Sequence, residues 1–96
     1  MAQLNIYTDC TAETPTKTYT CRRVLSGVIQ KVTKFVEEMD GKTNAEQLSM
    51  LGDFARLIFP QITDDELAGI DILELQDFFK DILKMAQGKI EQAQKN

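Results

Sequence analysis

The sequence predicts an α+β domain that is mainly α: a short N-terminal β-hairpin followed by three to four amphipathic helices. Two observations predict it. Residues 3–8 and 17–20 are the stretches with strand character, and both lie ahead of every helical segment. From Arg22 onward, apolar residues recur at the three- and four-residue steps of a helix, interrupted by explicit start and stop signals. Strands and helices in separate runs indicate α+β rather than a wound α/β fold. The 96 residues make one domain, expected over 1–88, with the hairpin at 1–20, the helical part at 22–88 and a polar, frayed tail at 89–96.

Each element has a local cause. In residues 3–8, QLNIYT, Leu4 and Ile6 alternate with polar neighbours, as in a half-buried strand. A loop with Pro15 follows, and residues 17–20, KTYT, carry the Thr and Tyr that suit a second strand. Two strands alone are marginal, so the hairpin must pack on helices. The first helix is expected over 22–39, with Val24, Leu25, Val28, Ile29, Val32, Phe35, Val36 and Met39 on its apolar stripe and Asp40-Gly41 as its stop. Arg22 and Arg23 would then oppose the dipole of that helix, unless they pair with the acidic half or a partner.

Thr43-Asn44-Ala45-Glu46 is a capping-box pattern opening the next helix, whose face carries Leu48, Leu51, Phe54, Ala55 and Ile58. Pro60 ends it, since the residue before a proline is pushed out of helical conformation. Thr63-Asp64-Asp65-Glu66 repeats the pattern for a short helix to about Ala68, stopped by Gly69. Asp71 caps the last helix, expected from Ile72 to about Gly88, with Leu75, Phe78, Phe79, Ile82, Leu83 and Ala86 inward.

Charge and chemistry exclude several function classes. The net charge of −4 is uneven: residues 1–42 carry +1 and residues 43–96 carry −5. Such a surface repels phosphate backbones, so no nucleic-acid partner is expected. No apolar run reaches the roughly 20 residues of a membrane span, and no export signal opens the sequence, so the expected location is cytoplasmic. Cys10 and Cys21 are then reduced, unreactive thiols. There is no His, which removes the commonest general base and every Ser-His or Cys-His arrangement, and no enzyme activity is expected.

The seven carboxylates between Asp64 and Asp81 invite a metal. Counted from Asp64, however, the closing bidentate Glu of an EF-hand falls on Leu75. Zinc finds no ligand set in two Cys and no His. A phosphopantetheine carrier needs a Ser where Gly69-Ile70-Asp71-Ile72-Leu73 has none. No metal, catalytic residue or cofactor is therefore expected. At helix starts these acids serve as caps and as partners of the helix dipole. Phe78 and Phe79 point about 100° apart on their helix, so one is central and the other leans to an edge. A partner surface is expected on the apolar edge of the last and first helices, at Val28, Val32, Phe35, Phe78, Phe79 and Ile82. Phe79→Asp is expected to weaken partner binding and leave the fold intact.

The stretch "LIFPQITDDELAGIDILELQDFFKDI" resembles the C-terminal signature of the tail assembly chaperones of long-tailed phages and prophages of Gram-positive bacteria. The positions that carry the likeness are Phe59, Pro60, Ile62, Thr63, Asp64, Asp65, Glu66, Ile70, Asp71, Leu75, Phe78 and Ile82. Upstream, "YTCRRVLSGVIQKVTKF" resembles the strand running into a basic helix start in that family. The resemblance spans about residues 4–85 in element order and acidity. It implies a non-enzymatic assembly factor that binds the tape measure protein, keeps it soluble and promotes tail tube assembly. It also implies a longer frameshifted form that recruits tail tube protein, and absence from the mature virion. Self-association, including pairing of the hairpin with another copy, is left open. The competing class is a small acidic helical adaptor or inhibitor, including a DNA mimic.

Overall fold

The computed structural model describes the backbone of residues 1–95 and the side chains of residues 1–87. Its element order is β1 (Ala2–Ile6), β2 (Lys17–Cys21), α1 (Ser26–Met39), α2 (Asn44–Ile58), α3 (Asp64–Ala68) and α4 (Ile72–Lys95). The fold is α+β and mainly α, as expected. α4 continues to Lys95, past the end expected near Gly88, so the backbone of the segment expected as a frayed tail is helical that far; Asn96 lies outside the described residues.

The hairpin is antiparallel, with Ala2 opposite Cys21, Leu4 opposite Tyr19 and Ile6 opposite Lys17. Ala2, Leu4 and Ile6 share one face with Tyr19 and Cys21, and all five are buried. That face lies on the helices, which supplies the packing a two-stranded sheet needs. β1 stops short of the predicted Thr8. At its end the Tyr7 N–H, which points away from β2, donates to the carbonyl of Gly69 at 2.8 Å, and Ile6 forms an isolated bridge with Ile70. The α3–α4 connection is thus tied to the end of the first strand.

α1 begins at Ser26, four residues later than the apolar stripe predicts. Val24 is buried but lies in the non-helical link between β2 and α1, where two exposed residues, Arg22 and Arg23, break the inward alternation of Tyr19 and Cys21. Leu25 is the N-cap, extended at φ −72° and ψ 151°, with no side chain able to cap. Arg22 and Arg23 therefore precede the helix, and the expected conflict with its dipole does not arise. At the other end, Gly41 takes a positive φ of 81°, a conformation that costs a side-chain-bearing residue about 1 kcal/mol or more.

The three predicted caps differ in completeness. The α3 capping box closes in both directions: Glu66 N donates to Thr63 Oγ1 at 3.2 Å, and Thr63 N donates to Glu66 Oε1 at 3.0 Å. At α2, Glu46 N donates to Thr43 Oγ1 at 3.2 Å, but the Glu46 carboxylate accepts from the Thr43 hydroxyl instead of its amide. Asp71 Oδ1 accepts from Leu73 N at 2.7 Å and opens α4. α2 ends at Ile58 with Phe59 as C-cap, where Pro60 requires it.

Aromatic rings run through the core in a continuous chain. Phe35 lies 5.2 Å from Phe54, Phe54 6.1 Å from Phe78, Phe78 5.6 Å from Phe59, and Phe59 5.2 Å from Tyr19. It links α1, α2, α4 and β2. At its hairpin end the Tyr19 hydroxyl donates to Glu66 at 3.0 Å, and Lys17 Nζ sits 3.2 Å from the same carboxylate. The amide of Thr63, the Tyr19 hydroxyl and the Lys17 ammonium hold the Glu66 carboxyl below its ordinary range, against partial desolvation.

Two predictions follow from these contacts. A Cβ at Gly69 would stand 2.5 Å from the Tyr7 carbonyl oxygen, and its φ of −92° is open to any residue, so the cost of a side chain there is steric. Gly69→Ala should lower unfolding free energy by about 1–3 kcal/mol, measured by urea denaturation. The contribution of Glu66 is complete above its unfolded pKa of 4.5 and is lost as pH falls through its lower folded value. The melting-temperature gap between the wild type and Glu66→Gln should therefore be steady near neutral pH and shrink once the pH drops below 4.5.

Candidate partner-binding groove

The fold places the six predicted surface residues differently from the expected apolar edge. Val32, Phe35, Phe78 and Ile82 are core residues, with relative exposures of 2%, 9%, 1% and 0%. The physical reason is that α1 and α4 both pack on α2, so their apolar stripes meet around Phe54 instead of facing water. Val28 and Phe79 remain half-buried. Of the two consecutive phenylalanines, Phe78 is the central one and Phe79 the edge one.

Phe79 marks a groove that the helices leave open. Its walls are Met39 at the end of α1, Asn44, Gln47, Leu48 and Leu51 on α2, and Gln76, Phe79 and Lys80 on α4. The turn at Gly41 and the Thr43 cap bring the start of α2 beside Met39. Gln47 Nε2 then donates to the Met39 carbonyl at 3.2 Å and fixes that corner. Leu48 was expected on the buried face of α2, yet it is 41% exposed and forms the lip of the groove. On its floor, Phe79 meets Phe54 edge to face, with ring centroids 4.7 Å apart. The lining is apolar with a rim of three neutral amides and one lysine, and among the described residues no carboxylate lines it.

The acids lie elsewhere. Asp64 pairs with Arg56, Glu66 closes the α3 box, Asp71 caps α4, and Glu74 accepts from Asn5 Nδ2 at 2.8 Å. Glu74, Asp77 and Asp81 line a shallow cleft on another flank of α4, with Met1, Gln3, Asn5 and Phe78. Among the described residues, no group of three or more His, Cys, Asp or Glu is placed to hold a metal ion.

Arg22 and Arg23 line a second cleft with Thr20, Cys21, Val24, Leu25, Val28, Ile58 and Phe59. Both are exposed, and among the described residues neither forms an ion pair with the acidic half. Cys10 is exposed and Cys21 buried, both as free thiols, and burial pushes the Cys21 thiol pKa up. Among the described residues no helix is long and apolar enough to cross a membrane. Comparison with protein-family models, with curated proteins and with solved structures finds no match for this chain.

Periodicity pointed to Phe79 but missed the rest of the groove. The signal for Met39 and Leu48 lay in the short Asp40–Thr43 connection, which draws the two helix ends together. The contacts of Phe79 with Phe54 and Phe35 also make it a structural residue, so Phe79→Asp would damage the fold as well as the groove. Leu48→Asp is the cleaner probe. It should shift stability by no more than about 0.5 kcal/mol, whereas Phe79→Ala should cost about 2–3 kcal/mol, both measured by denaturant unfolding.

Proposed function

We propose that this chain is a tail assembly chaperone of a long-tailed phage or prophage, and that it holds a helical segment of the tape measure protein in the Met39–Leu48–Phe79 groove. The observation that carries this reading is the groove itself: an apolar floor open to solvent beside a packed aromatic core, with a rim of neutral amides. A long helix with exposed apolar seams is recognised by a groove between amphipathic helices, which takes its anchors at three- and four-residue steps. The resemblance of Phe59 through Ile82 to the chaperone signature supplies the identity of that helix.

The division of surface supports the same role. Carboxylates sit at caps, in ion pairs or on the opposite flank of α4, leaving the groove uncharged except for Lys80. The net negative surface keeps a loaded complex in solution. Many copies on one long ligand gain by avidity, so each groove can bind weakly. A longer frameshifted form would recruit tail tube protein, the complex would assemble in the cytoplasm, and the chaperone would be absent from the mature virion. No catalysis is assigned to the chain.

The test is co-expression with the long helical protein encoded beside it. The wild-type chain should carry that protein into the soluble fraction and co-purify with it. Leu48→Asp should reduce the co-purified amount at least about tenfold while the circular dichroism of the chain is unchanged. If the long protein stays insoluble with both the short and the frameshifted form, the chain is a generic helical adaptor instead.

A further inference from the structure

One edge of the hairpin is bare, and its geometry is self-complementary. The direction of each backbone group follows from the bonds at the hairpin end. Tyr7 donates to Gly69 on the side of β1 away from β2, while the Ile6 carbonyl accepts from Thr16 on the side facing it. Strand groups alternate in direction. Ala2, Leu4 and Ile6 therefore direct their backbone groups toward β2, where Cys21, Tyr19 and Lys17 stand opposite them. Thr18 and Thr20 must then aim their N–H and C=O groups outward from β2. Both residues are exposed, and among the described residues no donor or acceptor meets these outward groups. The β1 side is in a different situation, since α4 contacts that strand, Asn5 Nδ2 donates to Glu74 at 2.8 Å across the cleft between them, and the Ile6–Ile70 bridge closes its end.

We propose that this edge pairs with β2 of a second copy of the chain, antiparallel and centred on Tyr19. The two-fold register places Thr18 opposite Thr20 of the second copy, and Thr20 opposite its Thr18. Each such pair exchanges both of its backbone bonds, so all the outward groups of the strand are satisfied at once. Thr–Thr pairs across strands are favourable. The same register sets Lys17 opposite Cys21 and Arg22 opposite Thr16, so neither cation faces another. Two marginal two-stranded sheets become one four-stranded sheet. Beside the edge, the cleft that reaches Thr20 is lined by Leu25, Val28, Ile58 and Phe59, and Leu25 is 59% exposed there. A second strand at its lip removes part of that apolar surface from water.

This inference does not rest on the chaperone reading. The pairing edge and the groove share no residue, so a dimer would present two free grooves.

The interface is small, so the expected dimer is weak: the molar mass of the full chain should rise toward twice the monomer between about 5 µM and about 500 µM in sedimentation equilibrium. Thr20→Pro removes one outward N–H without touching the ladder to β1, and proline is tolerated at such edge positions. It should remain monomeric over that range with an unchanged circular dichroism spectrum. Amide hydrogen exchange gives an independent check in the wild type, where Thr18 and Thr20 should gain protection as concentration rises. Should Thr20→Pro fail to fold, exchange decides alone. A wild type that stays monomeric throughout overturns the proposal. So does a dimer that Thr20→Pro leaves intact, or one in which Thr18 and Thr20 still exchange freely.

Discussion

Phe54 has no exposed surface, and its ring meets those of Phe35, Phe78 and Phe79. The rest of the structure is arranged around that contact. A chain of this size buries only about two thirds of its unfolded surface, so a few large rings supply much of its apolar burial. Edge-to-face and tilted pairs add about 0.5–1.5 kcal/mol each beyond area. α2 becomes the central helix because it carries Phe54, and α1 and α4 take their positions by placing Phe35 and Phe78 against it. Phe59, just past the end of α2, continues the chain of rings to Tyr19 and anchors the hairpin. Glu66 locks the same corner through Tyr19, Lys17 and the α3 capping box.

This arrangement also decides what is left for a partner. A core that uses Phe35, Phe78, Val32 and Ile82 has no use for the outer side of Phe79, or for Leu48 and Met39 where α1 turns into α2. These residues form an apolar strip that the described residues do not cover. The acids of the Asp64–Asp81 stretch stay clear of it, each held by a helix end, a cation or an amide, or turned to the far flank of α4. The bare edge of β2 belongs to a different part of the surface.

Much of this was legible in the sequence, for reasons that can be assigned to particular residues. Thr43, Thr63 and Asp71 act within one helical turn of their own position, so the starts of α2, α3 and α4 could be placed from local chemistry. Pro60 and Gly41 act locally in the same way. The start of α1 was misplaced because Val24 carries an apolar side chain at helical spacing while serving as a core residue of the non-helical link ahead of the helix. Spacing alone does not separate those two roles. The exposed apolar surface was misplaced for a related reason, since Val32, Phe35, Phe78 and Ile82 are buried. Periodicity shows which face of a helix is apolar, but the width of the buried part depends on how closely neighbouring helices approach. Leu48 sits on the apolar face of α2 and is still exposed, while Val32 sits on that of α1 and is enclosed. The tie between Tyr7 and Gly69 joins positions far apart in the chain, and no local pattern announces it.

The central claim is that a partner helix docks in the groove beside the aromatic core, and chemical-shift mapping tests it most directly. Amphipathic helical segments of the proposed partner, a tape measure protein, would be titrated into isotope-labelled chain. The account predicts shifts concentrated on Met39, Gln47, Leu48, Leu51, Gln76 and Phe79, with Arg22, Leu25 and Ile58 unmoved. Shifts confined to the Arg22–Leu25 cleft, or no shifts for any segment, would contradict it.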